Sequence, residues 1–318
     1  MQETSASLQR EPAPYIRTSE LKKRVWRNKW LYVMLLPGIL YFLIFKYWPM
    51  YGLIISFQNY KPFKGILGSE WVGFAHFQRL FTEPDFFQIL TNTLMLFAMN
   101  LVFYFPVPII LALMLNEVRN SFFKRFFQTL VYIPHFMSWV IIVSITYVML
   151  TMDGGIINEV LVMFGFEKIN FLLSPEWFRP TYILQVIWRE AGWGTIIYLA
   201  AIASIDPQQY EAARMDGAGH FRQIWHITLP AIRGVIIILL ILKIGHVLDL
   251  GFEHVYLMLN SMNRGVAEII DTYVYTAGLQ QGQFSYSTAI GFFKSLIGLV
   301  LVMLVNKLAD KMGEDGVY

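Results

Sequence analysis

Residues 204–232 read SIDPQQYEAARMDGAGHFRQIWHITLPAI, a largely polar stretch between two apolar runs at roughly 181–205 and 233–250. Asp206 is a good helix N-cap, Pro207 suits the first helical position, and Gln209 stands where a capping-box partner belongs. Gln208 to Met215 are mostly strong helix formers, and Gly217 supplies the left-handed residue that ends such a helix. A second amphipathic segment, 219–228, follows, and Pro230 opens the next apolar run. The stretch therefore predicts a helix–turn–helix on short stems outside a membrane, a rigid knob suited to docking into a partner's groove.

Working outward, six segments carry the roughly 20 apolar residues that a spanning helix needs: about 30–50, 89–115, 126–150, 181–205, 233–250 and 287–308. Over the 318 residues, 56% are hydrophobic and 15% charged, against roughly 25% charged in a soluble domain. The chain is predicted to be an all-α integral membrane protein. Pro37, Pro49, Pro106, Pro108 and Pro134 fall inside spans, which predicts kinked, packed helices, with neighbours satisfying the freed carbonyls. Of the 25 Lys and Arg, fifteen lie in the N-tail, loops 116–125 and 206–233, and the C-tail. Six lie in loops 51–88, 151–180 and 251–286, and four (Lys46, Arg189, Lys243, Lys294) inside spans. The positive-inside rule puts both termini and the 206–230 loop in the cytoplasm. Residues 15–30, basic and Trp-containing, are expected along the inner leaflet. Trp48, Trp71 and Trp177 are expected as outer interfacial anchors, and 156–166 as a short outer helix.

Several chemistries are excluded. With no cysteine there is no disulfide, thiolate metal site or thiol nucleophile. No G-x-x-x-x-G-K-S/T occurs, so the chain carries no P-loop of its own. H-E-x-x-H and G-x-S-x-G are absent too, and the six histidines form no ligand cluster. A net charge of +3 gives no reason to expect nucleic acid.

What remains is ionisable and aromatic residues at depth, where a charge costs roughly 2.5–3.5 kcal/mol unless it is paired or lines a wet cavity. Lys46 is near a span end and can snorkel. Gln185, Trp188, Arg189 and Gly192 follow i, i+3, i+4, i+7 spacing and define one face, with an amide, an aromatic plane, a cation and a glycine that admits another backbone or a ligand. Such a mixture suits sugars. Trp193 extends it, and Lys243 and Lys294 can reach the same pore. Trp139, Tyr132 and His135 on the third span are further candidates. Glu190, about 100° around the helix from Arg189, is not expected to be its simple partner; Asp249 or Glu253 would pair Arg189 if its role is structural. Both uses, pathway and structure, stay open. Three cations near mid-depth also fit acidic cargo such as uronate oligosaccharides, although stacking and amides serve neutral sugars equally well.

The loop carries a resemblance. Glu211-Ala212-Ala213, Asp216-Gly217-Ala218 and Ile227-x-Leu229-Pro230 resemble the EAA loop of permease subunits in bacterial ABC importers. Leu199-Ala200-Ala201, Asp206-Pro207, WVGFAHFQRL (71–80) and Asn92-Thr93 are also similar to that family's maltose-type carbohydrate branch, in its polysaccharide and oligosaccharide subgroup. The resemblance implies a type I ABC importer permease fold of six transmembrane helices with a cytoplasmic EAA coupling helix. It implies a cytoplasmic segment 1–29, then a permease domain 30–318 with its core at about 89–308 and the EAA loop at 206–230. It implies import of carbohydrate by alternating access, and no catalysis by the chain itself. The implied partners are a second, similar permease, two cytoplasmic ATPases that carry ATP and Mg, an outer solute-binding protein, and the lipid of a bacterial plasma membrane. Glu211 would make a charged contact with the ATPase, Ala212 and Ala213 would allow close packing, and Gly217 would make the turn. A permease for another solute, such as glycerol phosphate, is the alternative; a secondary carrier or membrane enzyme is the rival from a different class.

Overall fold

The computed structural model describes residues 26–311, with side chains through Lys307. Most of the predicted inner-leaflet approach, 15–30, and the C-tail beyond 311 lie outside the described residues.

The chain divides into two units, Met1–Ile54 and Ile55–Tyr318. In the first, helix α1 (Lys29–Phe42) continues through a π turn (Leu43–Tyr47) into a 3-10 helix (Trp48–Phe57), and every side chain from Trp26 to Tyr51 is exposed. A helix apolar all round that buries nothing within its own unit is of the membrane-spanning type.

The second unit opens with a feature that an all-α expectation misses. Two-residue strands β1 (Gln58–Asn59) and β2 (Glu70–Trp71) pair antiparallel, Gln58 opposite Trp71. A short helix, Ala75–Thr82, leads to α2 (Pro84–Met99), a π turn (Asn100–Tyr104) and α3 (Pro106–Glu117), together one 34-residue apolar rod. Pro106 and Pro108 bring no amide donor, and the wider π turn just before them, closed by Phe105 N–H to the Asn100 carbonyl at 2.9 Å, absorbs the misfit.

The third predicted span is not one helix. Asn120 caps α4 (Ser121–Tyr132), a 3-10 turn follows at Ile133–Phe136, and Ser138 caps α5 (Trp139–Leu150). The two halves meet at 102°. Pro134 and the capping Ser138 explain the break, because a proline ring and a fresh N-cap both favour a restart. The turn Asp153-Gly154-Gly155 then leads into a helix at Ile156–Met163, as the apolar stretch 156–166 suggests.

Helix α6 (Pro175–Ala203) has 29 residues, long enough to cross on its own. It is the one predicted span whose mixed composition fails a simple apolarity test. The other five pass when each bent pair counts once. The coupling loop contains α7 (Pro207–Met215), a short helix His220–Gln223, a π turn Ile224–Thr228 and Leu229–Ala231. A 58° bend then begins α8 (Arg233–Gly245), five residues shorter than expected. Short helices at Phe252–Met258 and Ile270–Tyr275 precede α9 (Phe284–Lys311).

Three apolar clusters hold the second unit together, and α6 joins two of them. Tyr182, Ile183 and Val186 pack with Leu96, Val255 and Ile269; nearer the coupling loop, Tyr198 and Ile202 pack with Ala112 and Ile232. The third gathers Leu80, Phe86, Ile270, Tyr286 and Ile290. This central position of α6 fixes the surroundings of its polar residues.

Candidate functional site: a coupling loop and a mid-depth clamp

In the loop, Asp206 accepts a bond from Gln208 N–H at 2.9 Å, one residue before the expected capping-box position. At the far end Gly217 has φ +80°, with Gly217 N–H bonded to the Arg214 carbonyl (3.0 Å) and Ala218 N–H to that of Ala213 (2.8 Å). This double closure is the Schellman motif, which needs a left-handed residue at the position Gly217 holds. Three side-chain ties stiffen the knob: Tyr210 Oη to Thr228 Oγ1 at 2.9 Å, Gln223 Nε2–H to the Ala218 carbonyl at 2.7 Å, and His220 Nδ1 to Glu117 Oε2 at 2.9 Å. The last joins the knob to the end of α3.

No residue of α7 is buried. Glu211, Ala212, Asp216 and Gly217 are exposed, while Ala213 and Ala218 are half-buried. Beside them Met215 is 89% and Phe221 90% exposed, and Trp225 is exposed too. Apolar side chains this open on a polar knob mark a surface made to be covered. These three went unnoticed in the sequence, where Phe221 and Trp225 pass for one face of an amphipathic helix.

The second arrangement surrounds the break in the third span. Arg189 Nε–H donates to the Met137 carbonyl at 2.9 Å, catching a backbone oxygen where the helix stops. Arg189 Nη1 also forms an ion pair with Glu190 Oε1, whose other oxygen accepts from His135 Nδ1 at 3.0 Å. This corrects two expectations. Glu190 is the partner of Arg189, and Asp249 and Glu253 are not. The backbone positions do diverge by about 100°, but both side chains are long enough to converge on the gap that the 102° break opens beside α6. Non-helical backbone at membrane depth requires such buried partners.

Aromatic rings continue the clamp in both directions. His135 stacks on Trp193 (centroids 4.5 Å apart, planes 4°). The Arg189 guanidinium lies 4.5 Å from the Trp139 ring centre; Trp139 stacks on His254 at 3.7 Å, and His254 on Tyr182 at 4.6 Å. His254 Nε2–H bonds Gln185 Oε1 at 2.6 Å, and Gln185 Nε2–H bonds Thr146 Oγ1 at 2.6 Å. At Gly192 a Cβ would run into the Val131 carbonyl, so the glycine admits another backbone there.

The predicted pathway residues thus separate. Arg189, Glu190 and Trp193 come together; Trp188 and Trp193 are both exposed but lie about 140° apart around α6. Gln185 is buried behind them as a support. Lys243 lies 5.1 Å from the Tyr104 ring centre, and a Cβ on Gly194 would stand 3.5 Å from Tyr104 Oη, which brings Lys243 to the same region of α6. Lys294 belongs elsewhere: it pairs with Asp271 and, at 3.5 Å, with Asp249. Asp271 comes from the predicted 251–286 loop, so no helix periodicity could have nominated it. Among the described residues, no cluster of three or more His, Asp or Glu could hold a metal ion.

A polar coupling knob beside apolar spans, one of them broken at mid-depth over an ionic clamp, defines a membrane permease subunit driven from outside its own chain. Residues 104–314 match the family described as the binding-protein-dependent transport system inner membrane component, and the chain belongs to it. It is a transport component with the type I permease fold, located in the inner membrane, and not an enzyme. It is 71% identical over 292 residues to the polygalacturonan/rhamnogalacturonan transport system permease protein YteP of Bacillus subtilis strain 168, covering 92% of this chain and 91% of that one. It is 57% identical to the protein LplB of the same organism, with 92% of each covered. Among solved structures, a permease chain of a bacterial alginate ABC transporter, in complex with an alginate pentasaccharide-bound periplasmic protein, superposes with a TM-score of 0.87. It shares 42% identity, over 93% of this chain and 99% of that chain.

Proposed function

We propose that this chain is one of two similar, non-identical permeases that enclose the pathway of an ATP-driven importer for acidic oligosaccharides, uronate oligomers in particular. An outer binding protein delivers the cargo, and two cytoplasmic ATPases, holding ATP and Mg, drive alternating access. Both termini are cytoplasmic. Glu211 docks by charge into the ATPase, Ala212 and Ala213 let it approach closely, and Asp216, Gly217 and Ala218 form the turn that sets the angle. Met215, Phe221 and Trp225 add the apolar contact. At mid-depth Trp188, Trp193, Arg189, Glu190 and Lys243 line the pathway, and Gln185 holds that wall in place. Lys294 serves within a neighbouring ion network.

The observation that carries the acidic reading is the state of Lys243. Arg189 and Lys294 are met by carboxylates of their own chain, but among the described residues Lys243 has no carboxylate within 4 Å: Glu190, already paired with Arg189, acts on it only from farther off, and the ammonium rests on the Tyr104 ring. A cation at depth is retained where something negative visits it. The names of the 71% identical relative and of the alginate transporter support the same class.

The deciding experiment is substrate-stimulated ATPase of the reconstituted complex with its binding protein, on matched acidic and neutral oligosaccharides. Lys243→Gln is expected to raise the half-stimulating concentration of acidic cargo about ten-fold, the low end of a charge-assisted hydrogen bond worth about 1.5–3 kcal/mol. Neutral cargo should be unaffected. Equal loss on both would refute the acidic reading, and no stimulation of the unmodified complex by any oligosaccharide would refute carbohydrate import.

A further inference from the structure

The outer hairpin 58–74 has no role in coupling or in the mid-depth clamp, and it is built rigidly. Gln58 Nε2–H bonds the Ile66 carbonyl at 3.0 Å, Lys61 N–H bonds Ser69 Oγ at 3.1 Å, and Ser69 Oγ–H bonds the Gly65 carbonyl at 2.7 Å. Gly65 (φ +66°) and Gly73 (φ +59°) make its two sharp corners. A segment so well tied nonetheless leaves Leu67 95% and Phe63 82% exposed, with Trp71 and Phe74 exposed beside them. Lys61 and Lys64 flank the apolar tip.

Its height is set by α9. Tyr60 N–H donates to Ser285 Oγ at 2.9 Å and the Tyr60 ring meets Phe284, so the hairpin starts level with the outer end of that span. Phe57, which stacks on Trp71, also meets Phe292, eight residues into the helix, or about 12 Å at 1.5 Å per residue. The hairpin therefore sits beside the top of the span and not on a stalk above it. Apolar tip, tryptophan and flanking lysines at that level match the composition of a membrane interface, where rings sit among headgroups and ammonium groups reach the phosphates.

We propose that hairpin 58–74 is an outer-leaflet anchor, with Phe63, Leu67, Trp71 and Phe74 inserted at the headgroup–acyl boundary and Lys61 and Lys64 on lipid phosphates. The choice of lipid over the binding protein rests on this lateral placement and on the lysines. The absence of cysteine makes the test clean. Leu67→Cys, carrying an environment-sensitive nitrobenzoxadiazole label, is placed in the full transporter complex in vesicles of phosphatidylcholine and phosphatidylglycerol, with labelled Asp153→Cys on another outer loop as the water-exposed control. The expected result is a blue-shifted emission at 67, at least two-fold stronger quenching by brominated acyl chains than at 153, and protection from aqueous iodide without the binding protein. Iodide quenching at 67 equal to that at 153, or protection that arises only when the binding protein is added, would overturn the proposal.

Discussion

Arg189 shows how far single residues can be read. Its depth and its cost were legible, because a charge within an apolar run announces itself. Its partner was not, because ideal helix geometry sends neighbours 100° apart and says nothing of a gap in the facing span. Once the third span breaks at Met137–Ser138, the guanidinium meets a free carbonyl, a carboxylate and an indole face together. The pair is only partly buried and each member keeps another partner, the Met137 carbonyl or His135, so removing one is expected to cost about 1–3 kcal/mol. Glu190→Gln should therefore lower the thermal stability of the purified complex and its membrane abundance, and should reduce uptake of acidic and neutral cargo alike. The double variant Arg189→Gln with Glu190→Gln should be less damaged than the sum of the singles. A strictly additive double-mutant cycle would mean that the two side chains do not act as a pair.

At the scale of elements, the coupling helix was the most legible part of the chain and the third span the least. The helix is written locally, in an Asp-Pro start and a glycine stop, and those signals depend on nothing distant. The break depends on Pro134 and Ser138 together with the polar groups α6 offers at the same level, which no window of sequence contains. Two glycines test the two cases. At Gly217 there is open space around a built Cβ, so only conformation is at stake. Gly217→Val should cost about 1–2 kcal/mol of local turn stability and reduce ATPase co-purification and uptake with insertion intact, whereas Gly217→Asn, tolerant of positive φ, should retain most activity. Equal activity of all three proteins would remove the requirement for the turn. At Gly192 φ is ordinary and space is the constraint: Gly192→Ala must push α6 off the Val131 carbonyl. The expected result is a marked loss of folded protein by size-exclusion chromatography, with Gly291→Ala, which meets nothing within 4 Å, unchanged as the control.

For the whole molecule, the distribution of charge makes a claim that the helices alone do not. Fifteen cations on one set of termini and loops against six on the other predict that the coupling knob lies in the cytoplasm. Positions 120, 215 and 315 should then be reached by an impermeant thiol reagent only after the inner face is opened, and 70, 170 and 265 from outside intact cells. The mid-depth region should behave differently from both sets. If ATP closes the partner ATPases and the knob carries that motion to the spans, the wall around Lys243 faces each side in turn, and the bias comes from nucleotide contacts that this chain does not make. In the assembled complex, a cysteine at 243 should react from the inner side without nucleotide, and from the outer side when binding protein and a trapped nucleotide state are present. Labelling of 243 from one side under both conditions would rule out alternating access around this wall, whereas labelling of 215 from outside would overturn the topology itself. The two failures are separable, because the first leaves the 120/215/315 and 70/170/265 pattern intact. That separation ties the mechanism to the clamp beside α6, since the topology requires only where the loops lie and alternating access requires that α8 present Lys243 to both aqueous sides.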